Sequence, residues 1–251
     1  MRRLARHSCA AALVPRRTAH ACGARHGDRR YRAHRRQVDH TTGLLMLREG
    51  APLRVYCTDG VRDDLCTVNP LFGVLAHYCG VDWRRVEVAA AVGFRVDGVD
   101  GLSVRAVPLK SKPPPYSSHR DSPRADDNVG FEIKDEAMGG TLFYAPGVGQ
   151  IDRRVRTAVG RADCVLVDGT FWSDDEMIRL EIATKRARDT GHLPQSGTGG
   201  MIEELFRYPN TRKVLVHINN TNPILDERSP ERAQLTAAGI EVAHDGMELR
   251  V

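Results

Sequence analysis

The chain has 251 residues, 41% of them hydrophobic and 27% charged, which is ordinary for a soluble globular protein and enough for one α/β domain with a real core. Its formal net charge of +5 is misleading as an average, because residues 1–36 carry eleven Arg and a single acid, Asp28. The remainder is therefore net acidic, which argues against a nucleic-acid partner.

Residues 1–36 are rich in Arg, Ala and His, contain no Ile, Phe, Lys, Asn or Glu, and show neither the helical nor the strand period. A targeting segment, a disordered basic arm and an out-of-frame translation of a GC-rich gene are the open readings. Ser8 is the only serine, and the short apolar run 9–14 has no convincing cleavage site, so the third reading fits best. The segment is expected to be non-homologous and disordered, with the folded domain spanning 37–251. Six scattered cysteines without a CxxC pair indicate neither a zinc ribbon nor a disulfide framework, and point to reduced thiols in the cytoplasm. No apolar run approaches the roughly 20 residues of a membrane span.

From Gln37 onward the pattern becomes regular. A short helix is expected over 41–49, closed by Gly50, then a strand at Leu53–Cys57 and a helix from Asp59 as N-cap to Cys66. Strands follow at 83–89 and 103–108, a Pro-rich loop at 110–118, and a hairpin pairing 131–134 with 141–144. Further on come a helix at 152–160, an inner strand at 163–168, helices at 174–180 and 199–206, and a strand at 213–216. Ser229-Pro230-Glu231 announces a helix over 229–238 by cap, first-turn proline and acid, and a short strand ends the series at 240–243. Strands first and strand–helix alternation later suggest sheets with helices outside.

Two local features could carry chemistry. Asp39-His40, followed by Gly43-Leu44, places two potential ligands between a strand end and a helix start; an Asp capping a helix beside a surface His is the alternative. His217 directly follows an apolar strand, where α/β folds place their sites; a core His satisfied by loop carbonyls is the alternative there.

The series Val165-Leu166-Val167-Asp168-Gly169-Thr170-Phe171, then Gly191-His192-Leu193-Pro194, then His217 has the order of the phosphodiesterase-like branch of the metallo-β-lactamase superfamily. Within it, the wording of 168–172, 191–200, 217–226, 143–147 and 245–247 closely resembles the PqqB family of pyrroloquinoline quinone (PQQ) biosynthesis, over residues 37–251. The resemblance implies an α/β fold of the metallo-β-lactamase-like αββα sandwich type. It also implies metal-dependent oxidative hydroxylation of the tyrosine-derived ring of a Glu–Tyr precursor. Transport of PQQ or its precursor to the periplasm by a non-catalytic carrier is the alternative, and a generic hydrolase a second one. The implied partners are the small amino-acid-derived precursor and other PQQ biosynthesis proteins.

The superfamily's His-x-His-x-Asp-His motif is half absent, with Arg35 and Gln37 at its first two histidines. The strand that would carry a bridging Asp reads Tyr144-Ala145-Pro146-Gly147, which argues against a two-metal hydrolase. What remains, Asp39, His40 and His217, has the two-imidazole, one-carboxylate composition that holds non-haem Fe(II) with positions open for O₂ and substrate. The expected cofactor is therefore one divalent metal, Fe(II) with zinc as the alternative, and O₂ as co-substrate. His119 is a further candidate ligand. Asp168 and His192 are expected beside His40 and His217 as acid/base or orienting groups, and Asn219, Asn220 and Asn222 as hydrogen-bonding partners of an amino-acid substrate. The family also opens with a Gly-rich strand and a Cys-x-Cys-x-x-Cys knuckle, whose spacing Cys9 and Cys22 do not reproduce. The chain is thus expected to lack the family's first strands, to hold no zinc on cysteine, and to be compromised in stability.

Overall fold

The structure, a computed structural model, describes residues 30–32 and 38–251, the side chains of 30–32 and Asp39 excepted. Of the segment expected to lack structure, Arg30–Arg32 form a strand. The rest of that expectation, with Arg35 and Gln37, lies outside the described residues. The described chain divides into two compact units, one up to Val86 together with Pro113–Asp121, the other Glu87–Lys112 together with Ser122–Val251.

The first unit contains β1 (Arg30–Arg32), α1 (Val38–Thr41), a 3-10 turn (Thr42–Leu47), β2 (Leu53–Cys57), α2 (Asp59–Cys66), α3 (Leu71–Ala76) and β3 (Val81–Arg85). Its sheet has the order β1-β2-β3, all parallel. A parallel strand covered on both faces needs a near-continuous apolar run, and β2 is buried at every residue but Arg54. Three expectations need correction here. The helix at 41–49 starts earlier, at Val38, and runs as a 3-10 turn that stops at Leu47, before Gly50. Thr58, not Asp59, caps α2: its backbone is extended and its hydroxyl accepts from Val61 N at 3.3 Å. The strand expected at 83–89 begins at Val81 and ends at Arg85, with Trp83 Nε1 donating to Cys57 O at 3.1 Å. Helix α3 was not foreseen, because Leu-Phe-Gly-Val-Leu-Ala is apolar without a period.

The second unit contains β4 (Leu102–Pro108), β5 (Val129–Asp135), β6 (Thr141–Ala145), α4 (Arg153–Arg161), β7 (Cys164–Asp168) and α5 (Glu176–Arg179). It continues with α6 (Ala187–Thr190), α7 (Met201–Leu205), β8 (Arg212–Val216), α8 (Pro230–Ala237) and β9 (Ile240–Val242). The six strands lie in chain order, antiparallel from β4 to β6 and parallel from β6 to β9. The β5–β6 hairpin turns where expected, with Asp135 Oδ1 accepting from Ala137 N and Met138 N. Each later parallel step returns through helical chain, as parallel pairing requires. Asp152 caps α4 and Ser229 caps α8, each side chain accepting from the first turn. The helix expected at 174–180 shrinks to the single turn of α5, and α6 is an unforeseen turn of similar size.

Helix α4 buries Val155, Ala158 and Val159, spaced to share one face, in a core that includes Phe143, Val165, Met201 and Leu215. Burying each large apolar side chain there contributes about 1.5–3 kcal/mol before entropy is charged. The effect that matters for chemistry is positional. Strands β6, β7 and β8 run parallel side by side, so their carboxyl ends open on one edge of the sheet. Among the described residues, no helix is long and apolar enough to cross a membrane.

Candidate metal centre

Asp168 is the last residue of β7 and stands in register with Val216, the last residue of β8. His217 follows immediately, so parallel pairing alone makes Asp168 and His217 neighbours. The chain around them is tightly constrained. A Cβ on Gly169 would lie 2.9 Å from Val216 O and 3.0 Å from Leu215 Cβ, so only glycine lets the strand ends approach this closely. His217 itself adopts φ +57°, a left-handed conformation that costs a non-glycine residue of order 1–3 kcal/mol and is held in place by its surroundings. His192 arrives from the turn after α6, where Gly191 at φ +94° ends the helix with a Cβ position 2.6 Å from Lys112 N.

These three side chains converge. One ligand atom from each of Asp168, His192 and His217 lies within 4.8 Å of the others. Asp168 is fully buried and its carboxylate is saturated. Oδ1 accepts from Thr170 N at 3.0 Å and from the Thr170 hydroxyl; Oδ2 accepts from Val148 N at 2.9 Å and pairs with His192 Nδ1 at 2.7 Å. Burial alone would raise its pKa. The charge and hydrogen bond of His192, the charge of His217 and the Thr170 hydroxyl outweigh that effect and pull it down to about 2. A carboxylate has about four acceptor positions, and all four are used here. Through these four bonds Asp168 orients its neighbours.

The imidazoles of His192 and His217 stack, with centroids 5.3 Å apart and planes 11° apart, and Phe171 meets His192 edge-on at 5.9 Å. Below them a second set of hydrogen bonds ties the two strand ends together. Asn222 Nδ2 donates to Gly169 O at 2.9 Å and Gln195 Oε1 at 2.8 Å, while its Oδ1 accepts from Ile224 N. Glu176 is buried and accepts from Trp172 N at 2.7 Å and from the Thr221 hydroxyl.

The structure thus unites three of the residues singled out by sequence: Asp168, His192 and His217. Asn222, expected to meet substrate, is instead buried and committed to the scaffold, because both ends of its amide hold backbone or Gln195. Asn219 is half-buried with Nδ2 on Thr221 Oγ1 at 2.6 Å, and Asn220 is exposed. His40 is buried in the first unit. His119 belongs to the same unit, its backbone N–H donating to Ser117 Oγ at 3.2 Å. The side chain of Asp39 lies outside those described. Sequence reasoning missed Thr170 and Glu176. The spacing Asp-Gly-Thr was the signal for the first, and nothing in the pattern signalled the second.

A fold with parallel strand ends presenting His and Asp defines a class. The family model described as a beta-lactamase superfamily domain matches residues 34–218, and the α/β fold is metallo-β-lactamase-like. "Coenzyme PQQ synthesis protein B" of Nitrosococcus oceani is 56% identical over 218 residues, covering 85% of this chain and 71% of that protein. The protein of the same name from an Azoarcus species is 58% identical over 215 residues, covering 85% and 70%. The crystal structure of Zn²⁺-bound PqqB from Methylobacterium extorquens superposes with a TM-score of 0.77 at 32% identity, covering 90% of this chain and 76% of that one. The chain belongs to the coenzyme PQQ synthesis protein B family, whose role is in PQQ biosynthesis.

Proposed function

We propose that this protein is a metal-dependent enzyme of PQQ biosynthesis that oxidatively hydroxylates the tyrosine-derived ring of a Glu–Tyr precursor. The observation that carries the reading is the buried, ionised Asp168 paired with His192 beside His217 at the strand ends. Imidazole and carboxylate donors suit a divalent first-row metal, so the residues present fit one.

His217 would hold the metal. When bound, Fe(II) would supply O₂ chemistry that redox-inert zinc would not. The chain's own residues do the rest. Asp168 holds His192 in one orientation and stabilises its protonated form, which equips His192 to take a proton from a ring hydroxyl or return one. The buried Phe171 ring packs edge-on against His192 and shields it on that side. Asn219 and Asn220 are the proposed hydrogen-bonding partners of the precursor's amino-acid groups. The absence of a bridging Asp in Tyr144-Ala145-Pro146-Gly147 favours this reading over a two-metal hydrolase.

The test is O₂ consumption coupled to ring hydroxylation by the Fe(II)-loaded protein, with the zinc-loaded protein as control. Turnover with iron and none with zinc is expected. Tight binding of precursor or PQQ without turnover under either metal would establish the carrier reading instead.

A further inference from the structure

Thr170 is assigned no part in the reading above, yet its hydroxyl is the common contact of the whole cluster. Oγ1 lies 2.5 Å from Asp168 Oδ1, 2.7 Å from His217 Nδ1, 2.9 Å from His192 Nδ1 and 3.1 Å from His217 O. A hydroxyl has one proton to donate and two lone pairs to accept with, so these contacts cannot all be of one kind. The contact with Asp168 decides the assignment. Asp168 Oδ1 already accepts the Thr170 backbone N–H at 3.0 Å and Oδ2 the Val148 N–H at 2.9 Å, so the carboxylate is the acceptor and the hydroxyl proton lies between the two close oxygens, at the short end of the range for a charge-assisted bond. The Thr170 hydroxyl therefore donates to Asp168 and can only accept from the imidazoles. His217 Nδ1 must then carry a hydrogen, and its lone pair resides on Nε2. His192 Nδ1, at 2.7 Å from Asp168 Oδ2, is likewise a donor.

We infer that Thr170 is a positioning residue that fixes the tautomer of His217, and with Asp168 that of His192, so that both rings present Nε2 as the basic nitrogen. The inference rests on the proposed metal site only for its functional consequence; the tautomer is a property of the metal-free chain. The reverse tautomer of His217 would place a lone pair on Nδ1 facing a hydroxyl oxygen that has no proton left to offer. Thr170 is buried, and the backbone of Thr170 is itself held, its N–H on Asp168 Oδ1 and its carbonyl accepting from Asn219 N at 3.1 Å. The hydroxyl is therefore fixed in position by the chain, independently of any metal.

The test uses the full chain with Thr170→Ser, which keeps the hydroxyl, and Thr170→Val, which keeps the shape and removes it. Nitrogen-15 NMR of the metal-free protein, at a pH where the imidazoles are neutral, reads which nitrogen of His217 bears hydrogen. Competition with a chromophoric chelator reads zinc affinity. The expected result is a single Nδ1–H tautomer in the wild type and in Thr170→Ser, with unchanged zinc affinity in the serine variant. Thr170→Val is expected to give mixed tautomers and zinc affinity lower by roughly 10–100-fold. Wild-type His217 found with its hydrogen on Nε2 overturns the inference, whether or not Thr170→Val folds. Wild-type zinc affinity in a folded Thr170→Val also overturns it. A locked tautomer in a wild-type chain that binds no zinc would support the positioning role while refuting the proposed metal site.

Discussion

Two buried strands end in different ways. Strand β2 finishes at Cys57, and the next residue, Thr58, uses its hydroxyl to cap α2. Strand β7 finishes at Asp168, and the threonine two residues on uses its hydroxyl to bind that carboxylate and two imidazoles. Burial acts in the same direction on both terminal groups, opposing ionisation. At Cys57 it prevails over the hydrogen bond from Trp83 and pushes the thiol up to about 12, so the group is an inert part of the core. At Asp168 the partners prevail and the group stays ionised. Similar burial thus yields packing at one strand end and an ionised, hydrogen-bonded cluster at the other. The difference lies in whether enough donors surround the buried group.

Removing those partners' common anchor should cost the most stability. Asp168→Ala strands His192, the Thr170 hydroxyl and Val148 N in a dry site, and should destabilise the protein by about 3–5 kcal/mol in urea unfolding. A loss no greater than that of an ordinary surface substitution would show Asp168 to be as passive as Cys57.

The second prediction concerns acid. The Asp168 carboxyl lies below its ordinary value of 3.8 in the fold, so its contribution is complete above about pH 4 and is lost as pH falls through about 2. Wild type should lose on the order of 2 kcal/mol more than Asp168→Asn across that window, because the amide has nothing to titrate. Parallel acid curves for the two proteins would show that Asp168 is not held ionised. Smaller still is the cap. Thr58→Ala should cost about 1 kcal/mol, read as a shift in urea midpoint without a change in slope, while leaving metal content unaltered. At the bottom of the scale, alkylation near neutral pH should label exposed Cys66 and spare Cys57 until the protein unfolds. Labelling of Cys57 in the native state would mean that its strand end is open.

The same contrast explains how far the sequence could be read. Strand β2, the β5–β6 hairpin, strand β7 and the capped helices α4 and α8 were legible because each rests on a local rule: an apolar run, a turn, or a capping side chain, joined in α8 by a first-turn proline and acid. The position of His217 at the end of an apolar strand was legible, whereas its neighbours Asp168 and His192 come together only through the fold. The choice of Thr58 over Asp59 as cap was not legible, since two adjacent residues can both cap and only the backbone angle decides. The spacing Asp-Gly-Thr could flag Thr170, but not its contact with His217. That contact arises from β7 and β8 lying parallel and in register, which brings His217, 47 positions away, against the Thr170 hydroxyl. Asn222 was expected to meet substrate as one of three neighbouring asparagines, and only the fold reveals that its amide is enclosed by Gly169, Gln195 and Ile224.

The proposed metal site at His217, with the Asp168–His192 pair beside it for proton handling, can be read from metal content. Wild type, His217→Ala and His192→Ala are equilibrated with Fe(II) or zinc and measured by elemental analysis. One ion per wild-type chain is expected, with near-complete loss in His217→Ala and retention in His192→Ala despite lost turnover. Unchanged metal content in His217→Ala would refute the site.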